Sequence, residues 1–409
     1  MKKSMMLFAS ITLAGTVLVA CGNDSENAAN TANTANTANT ENNSQEESTD
    51  SQSSDQSKEM SVDESATAKQ VDAYKAITDE LNKMKEDQEV DWDLVESTYT
   101  SDLKSAVNEI DNEFDQFITT GIQAGTSGEL EENVARQMID KGTQSYFYQK
   151  QKSLQQAVID AKDADKNDEA MLHFEEIKLL VENVFVPTAE KRDSYYELEG
   201  ESSIVENINS GLTAQEEALS SEEGMEDFAV AKQITDKSIY RSYYLASNSY
   251  AEKIEEAVNA GDSEELQIMQ TEALGFYQAI KGSLAGGDEE AAAKLSELFD
   301  ISNEPASIKA DEVSNLFVKA FAGKIKGYHE KVAEMAEEGK ITDSKEAAME
   351  ANVFLKAIEM PVTDAIGQEE ADALYADATS WYEAIDNDNA EEANKLSEQI
   401  LSELQSVVE

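Results

Sequence analysis

Three stretches of this 409-residue chain align with one another without a gap: Asp140–Pro187, Asp236–Ser283 and Ser314–Pro361. Phe147, Tyr243 and Phe321 share a column, as do Leu154, Tyr250 and Tyr328, and Val158, Ile254 and Val332. Leu180, Phe276 and Phe354 form another column, followed by Val184, Ile280 and Ile358. Steps of seven and four residues place these side chains on one helical face. Polar turns separate the halves of each stretch: Asp163–Asn167, Asn259–Asp262 and Glu337–Lys340. Each copy therefore reads as a helix, a tight turn and a second helix. With the helical material that follows it, each copy reads as a small bundle of three or four helices, and rigid stacking of the units or flexing at Pro305 are both open. The expected fold class is all-α: tandem helical-hairpin or small helical-bundle repeats after a disordered tether. Three prolines in the whole chain and the absence of period-two alternation agree with it.

The expected units are helical repeats at 131–224, 225–310 and 311–409, preceded by an N-terminal helical cap at 71–130 that carries Trp92. Residues 21–70 form the tether. Apolar residues larger than Ala are almost missing there, and a Thr-Ala-Asn tripeptide recurs from Thr31 to Asn39. Such a segment cannot bury enough surface to offset the entropy of ordering its backbone.

At the N-terminus, Lys2 and Lys3 precede an apolar run from Met5 to Val17, which is too short to span a bilayer. The run ends in Leu18-Val19-Ala20-Cys21, with the chain's one cysteine last. This pattern resembles the lipobox of bacterial lipoproteins. The resemblance implies a signal peptide at residues 1–20, diacylglycerol on Cys21, a palmitate-type anchor and attachment to the extracytoplasmic face of the cell membrane. Two acyl chains suffice for stable anchoring.

Charge narrows the function. With 85 acidic and 32 basic side chains the net charge is −53, which opposes nucleic-acid binding. A single cysteine excludes a disulfide framework. Two histidines leave little for His-centred catalysis, and no Ser/His/Asp set, phosphate-cradling Gly loop or dinucleotide fingerprint is present. Asp163-x-Asp165-x-Asn167 opens like an EF-hand loop but has Asp168 where Gly is required and Phe174 where a bidentate Glu is required. The chain reads as non-enzymatic.

Two acidic columns cross the repeats. Asp160, Glu256 and Glu334 lie near the end of the first helix; Glu176, Glu272 and Glu350 lie in the second, at the edge of the apolar stripe. An inward carboxylate needs a hydrogen bond, a counter-ion or a metal. Tyr148 and Tyr244 are candidate partners, and His173, three residues before Glu176, is its neighbour on a helix. An oxygen-rich set of this kind suits a divalent or ferric cation. The run Ala257-Val258-Asn259-Ala260-Gly261-Asp262, followed by a helix with Phe276-Tyr277, is similar to the first helical hairpin of the imelysin-like iron-uptake lipoproteins. That family's Gly-x-His-x-x-Glu is not matched: Met171 precedes His173, and Val332 follows His329. The resemblance implies cation capture for a membrane permease. The alternative expectation is a spacer, adhesion or protein-interaction lipoprotein with no small-ligand site.

Overall fold

The computed structural model describes residues 61–221 and 224–408; the expected signal peptide, Cys21 and most of the expected tether lie outside them. Every regular element among the described residues is helical. Helix α1 (Ala66–Asn82) starts inside the stretch expected to be tether, capped by the Ser65 hydroxyl, which accepts from the Ala68 amide at 3.0 Å. Thr67, Ala68 and Gln70 are buried there, so the folded part begins at least five residues before the expected boundary at 71. Short helices α2 (Trp92–Thr98), α3 (Lys104–Ile110) and α4 (Asn112–Ser127) follow.

Three long hairpins come next. In the first, α5 (Glu132–Asp163) returns through α6 (Asn167–Leu180) and α7 (Val186–Tyr196); α8 (Ile204–Leu219) then leads into the second. The second is α9 (Met225–Ala260) and α10 (Leu266–Ala285), followed by α11 (Glu289–Phe299). The third is α12 (Ala310–Glu337), α13 (Ile341–Ala357) and α14 (Glu359–Ile366), closed by α15 (Gln368–Asp386) and α16 (Ala390–Val408).

The three turns use one device. Asp165, Gly261 and Gly339 occupy the same alignment column and adopt left-handed φ values of 58°, 75° and 75°. A left-handed residue just past the last turn lets backbone amides cap the open carbonyls. The Asp-x-Asp pattern is thus a helix terminator. Proline makes a second shared device. Pro187 and Pro361 fall in one column, each in the first turn of a new helix, where a missing N–H is harmless. Upstream of Pro187 the helix widens into a π-turn at Val181–Phe185, and upstream of Pro361 it breaks at Ile358. Ser283 takes that column in the second copy, and α10 runs through it unbroken.

Stacking follows from which faces are apolar. α10 packs on α5 and α13 packs on α9, so the return helices of the second and third hairpins each lie on the long helix of the hairpin before. Every residue from Thr235 to Ser249 on α9 is buried. Tyr243 meets Tyr148 of α5 at 5.7 Å between ring centroids, and Tyr240 meets Phe354 of α13 at 5.2 Å. The middle helix thereby joins the first and third hairpins through one aromatic core. No described helix is long and apolar enough to cross a membrane.

Candidate functional site

The stacking brings together two copies of one polar clasp. Asp140-Lys141 on α5 and Asp236-Lys237 on α9 are the same dipeptide at the same repeat position. Within each, the lysine pairs with its neighbour, Nζ to Oδ2, at 2.7 Å and 2.6 Å. Each ammonium also lies over a phenylalanine of the next hairpin: Lys141 is 4.7 Å from the Phe276 centroid, and Lys237 is 5.2 Å from that of Phe354. Each phenylalanine stacks in turn on a tyrosine, Tyr250 on Phe276 and Tyr328 on Phe354. The clasp is repeated residue by residue.

Its closure is not. At the second junction Glu350 reaches Lys237 at 2.8 Å, and the Tyr328 phenol lies against the same carboxylate. One buried ammonium therefore serves two carboxylates. Burial favours the neutral acids, but the Lys237 charge outweighs it and holds Asp236 and Glu350 below the ordinary carboxylate range. Other cations around this junction are also paired: Lys232 with Glu346, Arg241 with Glu359, and Lys345 with Glu226 and Asp386.

At the first junction Asp140 is fully satisfied without Glu272. The Tyr74 hydroxyl donates to its Oδ1 at 2.6 Å, Gln144 donates to the same oxygen at 2.9 Å, and Lys141 takes the other. Burial works against this anion, but Lys141 and these donors bring its pKa down to about 2. Glu272 lies against the Tyr250 phenol, and among the described residues no ion pair joins it to Lys141. Around it stand Arg192 of α7 and Lys253 of α9. Arg192 is 5% exposed, lies 5.8 Å and 5.9 Å from the Tyr195 and Tyr250 rings, and donates to the Ser249 hydroxyl. Lys253 lies 4.8 Å and 4.7 Å from the same two rings. Neither makes an ion pair among the described residues. The nearby Glu252 is occupied by Tyr195, Tyr196 and Asn248.

The expected site residues fall as follows. Glu176 is buried, with His173 Nδ1 3.0 Å from its Oε2, so that helical pair forms. Glu272 and Glu350 are half-buried and sit at different junctions. Asp160, Glu256 and Glu334 are exposed, because that column turns to solvent at the helix ends. Tyr148 and Tyr244 are buried but hydrogen-bond none of Glu176, Glu272 and Glu350; the Tyr148 phenol hydrogen-bonds Asp236 instead, and Tyr244 packs on Phe317 and Phe321. The phenols that meet the carboxylates are Tyr250 and Tyr328, one helical turn or more further along. No group of three His, Cys, Asp or Glu side chains able to hold a metal comes together among the described residues. Sequence reasoning passed over Asp140-Lys141, Asp236-Lys237, Arg192 and Lys253. The repeated Asp-Lys dipeptide at the head of the first two aligned stretches was the available signal.

No protein-family model, curated protein or solved structure matches this chain.

Proposed function

We propose that the chain is a surface scaffold, tethered through lipid on Cys21 to the extracytoplasmic face of the membrane, whose stacked hairpins bind a ligand or partner without turning it over. The supporting observation is the contrast between the two clasps. The second is closed by the chain's own Glu350, which is a structural use of an inward carboxylate. The first is left with Arg192 and Lys253, which make no ion pair among the described residues although acids outnumber bases 85 to 32. A spacer reading draws on the second junction alone.

Two measurements test the two halves of this reading. Radiolabelled palmitate should enter the wild-type chain in the cell, and Cys21→Ser should abolish the label and release the protein from the membrane fraction. Acylation of lysines on intact cells, read by mass spectrometry, should be slower at Lys191 and Lys253 than in the purified protein. Equal rates in both settings would argue that nothing occupies the first junction.

A further inference from the structure

We propose that the first junction is an anion site that takes a phosphoryl group, held by Arg192 and Lys253 with Lys191 at its rim. The inference rests on the binding-scaffold reading and names the chemistry of its ligand.

Three observations carry it. First, Arg192 of α7 and Lys253 of α9 meet over the same two rings, and the charges of Lys191, Lys141, Arg136 and Lys85 are felt in the same neighbourhood. Lys85, Arg136, Lys191, Arg192 and Lys253 make no ion pair among the described residues. In so acidic a chain the default is the opposite, as the paired lysines of the second junction show. Second, Arg192 is nine-tenths buried, and its Nε has no hydrogen-bond partner among the described residues. A buried guanidinium with an unused N–H and no ion-paired carboxylate is costly unless an anion completes it. Third, the Tyr195 and Tyr250 rings hold Arg192 and Lys253 side by side. Two like charges are thereby fixed at one place before any ligand arrives.

The electrostatics agree. Lys191 loses basicity to the surrounding protein first, then to the charges of Lys141, Lys85 and Arg192, with Asp140 opposing. Lys253 loses it to burial and then to Arg192, with Glu272, Glu252 and Glu256 opposing. Lys85 follows the same pattern, through burial and then Arg136 and Lys141, with Asp140 and Glu272 opposing. A bound dianion would oppose each of these shifts. The planar guanidinium suits two oxygens of one tetrahedral group, and the ammonium groups suit the third. A single carboxylate would leave several of these charges unanswered.

The test uses the full lipidated chain in non-ionic detergent, titrated with inorganic pyrophosphate by calorimetry at moderate salt, with citrate as the carboxylate counterpart. Pyrophosphate should bind saturably and more tightly than citrate. Lys191→Gln combined with Lys253→Gln, two positions outside the fully buried core, should weaken it at least ten-fold while circular dichroism stays unchanged. Lys331→Gln, an exposed lysine on α12, should leave it intact. Arg192→Gln should weaken it further if the variant folds. Absence of saturable binding, equal affinity in the double variant, or tighter binding of citrate would each overturn the phosphoryl site. None of these would touch the palmitate result, so the tethered-scaffold reading fails or stands separately.

Discussion

Asp165 holds a backbone conformation that its two repeat counterparts give to glycine. At φ 58° its Cβ crowds the following carbonyl, a strain that Gly261 and Gly339 avoid. Asp165→Gly should therefore stabilise the fold by a few tenths to about 1 kcal/mol, and Gly261→Asp should destabilise it by a similar amount, as read from urea unfolding. His329 makes a second case at this scale. It is stacked on Trp381 at 3.8 Å, hydrogen-bonded to the Ser397 hydroxyl, and 3% exposed, and burial lowers its pKa from 6.5 to about 4. The unfolded chain thus takes up this proton first as pH falls. The contribution is complete above about 6.5 and is lost between there and 4, amounting to about 3 kcal/mol. His329→Phe should keep the ring stack and flatten stability over that window. Asp140 acts lower down: its contribution is complete above the ordinary value of 3.8 and fades as pH falls towards 2.

At the scale of elements, the second clasp decides how the third hairpin docks. Lys237→Met would leave Asp236 and Glu350 buried together without their cation, and should cost about 3–5 kcal/mol. Adding Asp236→Asn and Glu350→Gln removes the stranded charges and should recover much of that loss. If Glu350 were instead held for a metal, Glu350→Gln alone would alter metal-dependent melting, and Lys237 would be a bystander. Chemical denaturation of the single and triple variants separates the two. The hairpins themselves were legible, because turn residues and helical periodicity are local signals. The place of Glu176 at the edge of the apolar stripe was legible too, from its spacing to Leu180 and Val184, but not its burial. The partners were not. Lys237 and Glu350 belong to different hairpins, and aligning copies shows what each shares but not how one seats on the next. The burial of α9 on all sides was hidden for a different reason. Thr235 to Ser249 contains Asp, Lys, Arg, Asn and four serines, so no apolar pattern marks a helix whose polar groups are satisfied by its neighbours.

At the scale of the whole molecule, two fields of opposite sign compete at the first junction. The net charge of −53 repels any anion, and it does so over long distances at low ionic strength. The cations of the junction attract it over a few ångströms. The screening length is about 30 Å at 10 mM salt, about 10 Å at 100 mM and about 3 Å at 1 M. Raising salt from 10 to 100 mM therefore removes much of the distant repulsion and leaves the contact attraction largely in place. Raising it to 1 M weakens the contact attraction as well. Affinity for pyrophosphate should consequently pass through a maximum near 100 mM, where an ordinary basic site would show a steady fall. Stability should behave differently, because self-repulsion opposes folding at every ionic strength: the melting temperature should climb from 10 mM to 1 M. Calorimetry and thermal unfolding across the same salt series measure both. A monotonic fall in affinity from 10 mM upward would mean that the local cations outweigh the rest of the chain even at long range.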